Sequence, residues 1–392
     1  MKNRFADRMN NIQESFITDI LKVTANPEII SFAGGLPNPE FFPEKEIQAA
    51  CVKVLEQDGR NVLQYSTAEG YGPLRQYIAD RYKKKGLQVE ADDILITNGS
   101  QQGLDLISKV FLNKGDYVLT ERPGYLGAID AISIFEPTFL SVPLLDDGVD
   151  TGALENIIKA HDIKLFYTVP NFQNPSGVSY SEENRAVVAD ILKQSDTILI
   201  EDDPYGELRF IGEHHPYISS HLGEQAILLG SFSKIVAPGL RMGWICTTNK
   251  IVMEKLASAK QAADLHSNYL SQRVIHQYLM DNDIDEHIKA ITKVYKEQRD
   301  IMIKAIEEHF PPEVKYTQPE GGMFLWITLP ERISCLELFE AARRENVAFV
   351  PGLPFYTDGG GCSTLRMNFS NSDEEKIREG IERLAKAIKA LL

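Results

Sequence analysis

AILLGSFSKIVAPGLRMGW, residues 226–244, is the stretch on which the fold turns. Its opening run is apolar without alternation, the pattern of a strand covered by helices on both faces. Lys234 follows directly, flanked by the small hydroxyl residues Ser231 and Ser233, and Arg241 comes a short loop later. A lysine just past such a strand sits at the carboxyl end of the sheet, where open α/β folds hold their ligands. Ser231, Ser233 and Arg241 can together grip a phosphate, the arginine through its bidentate fork and the serines as short donors.

Working outward, short β-rich runs at 94–97, 117–120, 138–142, 164–169, 197–201, 226–230 and 242–247 alternate with helical stretches. That rhythm predicts an α/β fold: a large domain with a mostly parallel central sheet flanked by helices, since each parallel return needs a crossover. After about residue 250 the pattern changes to long helical periodicity over 251–280 and 284–309. The strand-like GGMFLWITL, a helix from Cys335, and TLRMNFS before a last helix complete a smaller α+β domain. The Gly/Pro-rich stretch SFAGGLPNPEFFP is too broken for a core element and is expected to wrap onto the small domain or a partner subunit. The expected division is 1–45 for this arm, 46–285 for the large domain and 286–392 for the small one.

Composition narrows the function classes. A net charge of −15, with no basic stripe, argues against a nucleic-acid partner. Lys83, Lys84 and Lys85 stand before Gly86 at a helix end and are read as a solvated cap favoured by the helix dipole. Cys51, Cys246, Cys335 and Cys362 follow neither disulfide nor zinc spacing, which suits a reducing cytoplasm. No run of about twenty apolar residues suggests a membrane span, and the first residues hold no apolar core of signal-peptide length.

Three further strand ends lie at the same edge as Lys234. In TILIEDDPYGEL (197–208), Asp202 ends a strand with Tyr205 three residues on. A buried carboxylate there keeps a pyridine nitrogen protonated and makes the ring an electron sink; taken alone, Asp202 is also a plausible helix cap. In FYTVPNFQNPSGV (166–178), Asn174 and Tyr205 are placed to hydrogen-bond a ring oxygen, although Asn-Pro-Ser-Gly is in any case a turn. In DILITNGSQQGLDLI (93–107), the backbone N–H groups of Ser100, Gln101 and Gln102 open a helix toward an anion. Neither a dinucleotide nor a P-loop fingerprint occurs. Tyr125, in RPGYLG, offers its ring as a cover for the cofactor, though aromatics at such turns are often core packing. Arg366 lies inside the apolar TLRMNFS, where an unpaired guanidinium requires an anion, either a substrate carboxylate or an internal acid.

With these residues assembled, the chain resembles the fold-type I, class I/II pyridoxal-phosphate aminotransferases over nearly its whole length. Nine segments stand in the family's order: SFAGGLPNPEFFP, QYSTAEGYGPLR, GSQQGL, PGY, NFQNPSG, DDPYGEL, SFSKIVAPGLRMGW, GGMFLW and LRMNFS. The resemblance implies pyridoxal 5′-phosphate held by Lys234 as a Schiff base, with Lys234 also moving the proton. It implies Asp202 on the pyridine nitrogen, Asn174 and Tyr205 on the ring oxygen, and Tyr125 on the ring face. Ser100, Gln101, Ser231, Ser233 and Arg241 are implied at the phosphate and Arg366 at the substrate carboxylate. Gly34, Gly35 and Phe355 are expected to line the substrate pocket. Tyr65 is implied to reach the neighbouring subunit's phosphate, so a homodimer with shared active sites is expected. The arm looks most like the 2-aminoadipate, kynurenine and multi-substrate branch. Where some of those enzymes carry an arginine in the first helix, this chain offers Thr18.

The implied reaction is a ping-pong transfer of an amino group from an L-amino acid to a 2-oxo acid, commonly 2-oxoglutarate. Two rivals use the same pocket: β-elimination, and ligand sensing without catalysis, the latter normally preceded by a basic winged-helix domain. His214 and His215 are read as strand neighbours pointing to opposite faces, and no metal site is expected. Residues 359–361 are read as a flexible glycine run, and 281–285 as a solvated helix junction.

Overall fold

The computed structural model describes residues 4–11, 26 and 28–392. The strands in chain order are β1 (Ile30–Ser31), β2 (Ile94–Thr97), β3 (Tyr117–Arg122), β4 (Thr138–Leu145), β5 (Gly148–Val149), β6 (Ile163–Thr168) and β7 (Ile198–Asp202). They continue with β8 (Ala226–Ser231), β9 (Gly243–Cys246), β10 (Lys315–Tyr316), β11 (Phe324–Thr328), β12 (Val347–Ala348), β13 (Val350–Pro351) and β14 (Thr364–Asn368). The helices are α1 (Glu44–Val62), α2 (Gly72–Lys84), α3 (Ser100–Phe111), α4 (Leu126–Ser133), α5 (Thr151–Ala160) and α6 (Glu182–Leu192). After them come α7 (Ser219–Leu222), α8 (Lys250–Asp264), α9 (Tyr269–Asp281), α10 (Ile284–His309), α11 (Cys335–Arg344) and α12 (Glu374–Lys389).

The large sheet runs β2-β9-β8-β7-β6-β3-β4-β5. Strands β4, β3, β6, β7 and β8 are mutually parallel, as the crossover rhythm requires. Strand β9 is antiparallel to both β8 and β2, so β2 points the same way as β8. Every residue of β2, β8 and β9 is buried, because helices cover both faces. The consequence for chemistry is geometric: β2, β6, β7 and β8 all deliver their carboxyl ends to one edge.

The smaller sheet, β10-β11-β14-β13, is antiparallel and carries Arg366 in β14. Helix α10 packs against α12, whose stripe of Ile377, Ile381, Leu384 and Ile388 is fully buried. Each such side chain removed from water stabilises by about 1.5–3 kcal/mol. Asp373 caps α12 by accepting from the Lys376 N–H, with acids in the first turn and lysines in the last. The arm joins this part of the molecule: β1 pairs in parallel with β12, Ile30 opposite Val347.

Three local expectations are corrected. The helical pattern over 251–280 is two helices, broken at Leu265, which takes a left-handed φ of 62°. Asn268 then caps α9 by accepting from the Ser271 N–H, a stop and start that the apolar periodicity conceals. His214 and His215 lie in an irregular segment, not in a strand. Of the three lysines, Lys83 pairs with exposed Glu90, but Lys85 turns inward to Glu207 at 2.7 Å. At 281–285, Asp283 caps α10, and in the glycine-run loop Asp358 pairs with Arg122 at 2.6 Å.

Candidate active site

A cavity of about 390 Å³ opens at the carboxyl edge of the large sheet, between it, the arm and the small sheet. Its walls bring together Ser100, Gln101, Tyr125, Asn174, Asp202, Tyr205, Ser231, Ser233, Lys234, Arg241 and Arg366, with Gly34 and Gly35 from the arm. Each arrives for a local reason. Asp202 is the last residue of β7, Ser231 the last of β8, and Ser100 the first of α3. Arg241 closes the excursion from β8 to β9 with a left-handed φ of 51°.

Lys234 donates to the Gly35 carbonyl at 2.8 Å. Burial, then the charges of Arg366 and Arg241, bring its amine down to about 8. Part of the lysine population is therefore neutral and nucleophilic near physiological pH.

Asp202 is 1% exposed, and burial pushes its carboxyl up to about 7 against the pull of the Tyr167 hydroxyl, which donates to Oδ2 at 2.8 Å. Its other oxygen, Oδ1, is buried without a partner among the described residues. Such an acceptor costs about 1–3 kcal/mol unless a donor meets it. A protonated ring nitrogen is a fitting donor, so the residues present suit the cofactor that the sequence implied.

Asn174 donates through Nδ2 to the Tyr205 hydroxyl at 3.2 Å and accepts from Arg366 Nη1 at 2.8 Å. Arg366 also donates to the Ala33 carbonyl at 2.7 Å and lies 4.4 Å from the Phe324 ring centre. Burial lowers its proton affinity to about 10. Its polar partners are an amide oxygen and a backbone carbonyl, no carboxylate pairs with it among the described residues, and its Nε has no partner there. Of the two anions considered for Arg366, the internal acid is therefore not found, which leaves a buried cation suited to an incoming carboxylate.

The anion cup is built on glycines. Gly99 has φ 78°, and a Cβ there would come within 2.4 Å of Arg241 Nη2; at Gly243 a Cβ would stand 2.6 Å from the Ser100 nitrogen. Both positions let backbone N–H groups and a guanidinium crowd around one small anion. Ser231 and Ser233 join it, their hydroxyls 2.8 Å apart.

The aminotransferase class I and II family model matches residues 35–384. The chain belongs to that family. As a member, this aminotransferase is a pyridoxal 5′-phosphate enzyme. It is 42% identical to a 2-aminoadipate transaminase of Thermus thermophilus, over 99% of this chain and 97% of the relative. It is also 42% identical to an aromatic-amino-acid aminotransferase of Thermococcus litoralis, over 98% and 94%. A crystal structure of the kynurenine aminotransferase of Pyrococcus horikoshii with PMP superposes with a TM-score of 0.94 at 42% identity, covering 99% of this chain and 98% of that one.

Some sequence-based expectations for the aminotransferase are not met. Gln102 does not face the anion: its N–H is used on the Gly99 carbonyl, and its side chain turns toward α8. Phe355 is fully buried behind Arg366, 5.4 Å from the guanidinium, and is not part of the cavity wall. The expectation for Tyr65 concerns a neighbouring copy and is not among those unmet: the residue is 78% exposed, edge-on to His266 and off this chain's own cavity wall. Thr18 lies outside the described residues.

Sequence reasoning also missed residues. Tyr167 is the contact that orients Asp202. Its signal was present, since a fully buried phenol in the apolar β6 must find a hydrogen-bond partner. Glu121, a buried carboxylate in β3, was passed over as well. It accepts from Thr168 Oγ1, Tyr180 Oη, the Val169 N–H and Gln173 Nε2, so it braces the turn that presents Asn174.

Proposed function

We propose that the aminotransferase moves the amino group of an L-amino acid to a 2-oxo acid, most simply 2-oxoglutarate, by a ping-pong sequence in which the first product leaves before the acceptor enters. The observation that carries this reading is the buried guanidinium of Arg366, with no acid partner among the described residues, in the same cavity as Lys234 and Asp202. Arg366 holds the α-carboxylate of donor and acceptor in turn, with Asn174 fixing its fork. When bound, pyridoxal 5′-phosphate supplies the electron sink next to the substrate α-carbon. Asp202 would turn its open oxygen to accept a hydrogen bond from the protonated ring nitrogen, while Asn174 and Tyr205 would hold the ring oxygen. Tyr125 covers the ring. Ser100, Gln101, Ser231, Ser233 and Arg241 bind the phosphate. Lys234 would hold the cofactor and, once freed, would serve as the general base for the α-proton, its amine tuned by burial.

Tyr65 completes the phosphate site of a neighbouring copy, which supports a homodimer with shared active sites; its exposure leaves it free to do so. The boundaries at 45 and 285 follow from the same reading, the second falling in the first turn of α10. Four unpaired cysteines support a cytoplasmic setting. The relatives' names span an acidic and an aromatic donor, which supports a broad donor range.

The test is a donor panel of aminoadipate, aromatic, branched-chain, methionine and alanine substrates with 2-oxoglutarate, quantifying glutamate. Glutamate formation with parallel double-reciprocal lines is expected. With a β-thioether amino acid such as cystathionine added to the panel to supply a thiolate leaving group, ammonia with pyruvate and no glutamate would assign the cavity to β-elimination. In Arg366→Lys, which loses the bidentate fork, kcat/KM should fall on the order of a hundredfold.

A further inference from the structure

Behind the anion cup, and off the cavity wall, a partly buried ion pair connects α8 to the turn before α3. Lys260 has a fully buried side chain, and its Nζ lies 2.7 Å from both oxygens of Asp264. Asp264 Oδ2 also accepts from Asn98 Nδ2 at 2.8 Å and from Gln102 Nε2 at 2.7 Å. Gln102 Oε1 accepts in turn from the Asn98 N–H at 2.8 Å. Asn98 and Gln102 bracket Gly99, Ser100 and Gln101, which do line the cavity. The Asn98 carbonyl accepts from Arg241 Nη2 at 3.2 Å, so the same residue that Asp264 holds also rests the phosphate-side guanidinium.

A helix staple between positions four apart does not need these extra partners. Here one carboxylate takes a buried ammonium and two side-chain amides from the far side of the turn. The last of these bonds sets where the Ser100 turn and Arg241 stand before any anion arrives. Preorganising donors in this way saves the ordering that binding would otherwise require.

We propose that Lys260 and Asp264 are positioning residues for the phosphate end of the cofactor, acting through Asn98 and Gln102 without touching it. This rests on the phosphate lying at the Ser100 turn. The test uses cofactor-free full-length protein titrated with pyridoxal 5′-phosphate and, separately, with pyridoxal, which lacks the phosphate. Gln102→Leu removes its bonds to Asp264 and to the Asn98 N–H and leaves the ion pair; Asp264→Asn removes the carboxylate's charge and leaves the Lys260 ammonium without it. In each variant the dissociation constant for pyridoxal 5′-phosphate is expected to rise about tenfold, with that for pyridoxal changed less than about twofold.

If Asp264→Asn does not fold, the Gln102→Leu titration decides alone. Unchanged pyridoxal 5′-phosphate affinity in Gln102→Leu overturns the proposal, as does an equal loss toward both ligands, which would mark general destabilisation. Parent protein that binds pyridoxal no more weakly than its phosphate ester would instead remove the phosphate assignment on which the inference stands.

Discussion

Lys234 shows how burial prepares a residue for two tasks. Its amine titrates at about 8 because desolvation and two guanidinium groups disfavour the charged form. The neutral fraction therefore grows as pH rises, and the rate at which cofactor-free protein captures pyridoxal 5′-phosphate is expected to climb with a midpoint near that value. Stopped-flow absorbance between about pH 6.5 and 9.5 checks this; a flat profile contradicts it. Lys234, Asp202, Asn174, Arg241 and Arg366 were legible because each ends or occupies an apolar strand or its turn, where a polar group needs a reason to be. Tyr167 and Glu121 were not picked out: a polar group in an apolar strand signals that it needs a partner, but a hydrogen bond between neighbouring strands leaves no spacing in the sequence that names which one. Phe355 was misplaced for a related reason: the resemblance implies an aromatic at the substrate pocket but not on which side of the neighbouring guanidinium it stands.

Among the elements, the most revealing contact joins β9 to α3. Gly243 opens β9 directly beneath the Ser100 nitrogen, so no side chain fits between them. Gly243→Ala is expected to push the cup open, costing about 1–3 kcal/mol of stability and weakening cofactor affinity on the order of tenfold. Thermal denaturation with and without cofactor measures both; a variant matching the parent in each would show that the turn tolerates displacement. The strand runs were readable because fully buried strands announce themselves by continuous apolar residues. The break at Leu265 was not, since apolar spacing passes through it undisturbed while a single left-handed residue redirects the chain. That break lets Asp264 end α8 beside the anion cup instead of in mid-helix.

For the whole molecule, the two-part α/β and α+β layout followed from the change of rhythm after residue 250, and the pairing of β1 with β12 joins the arm to the small sheet. In the sequence, the expectation of a second copy rests on Tyr65. Val52, Leu55 and Leu63 stand exposed on or just beyond α1, a patch of the kind that marks association. Sedimentation is expected to give a species of twice the 44.0 kDa chain mass, and a lone single-chain species at micromolar concentration would refute the shared site.

The reversal of β9 against β8 has one more effect. Because the chain leaves the sheet at Ser231 and re-enters it at Gly243 on the same side, the lysine and the arginine ride one short excursion clamped at both ends. The length of that excursion works as a ruler between the two grips on the cofactor, so an insertion or deletion inside it shifts the spacing between them even when every individual residue is retained.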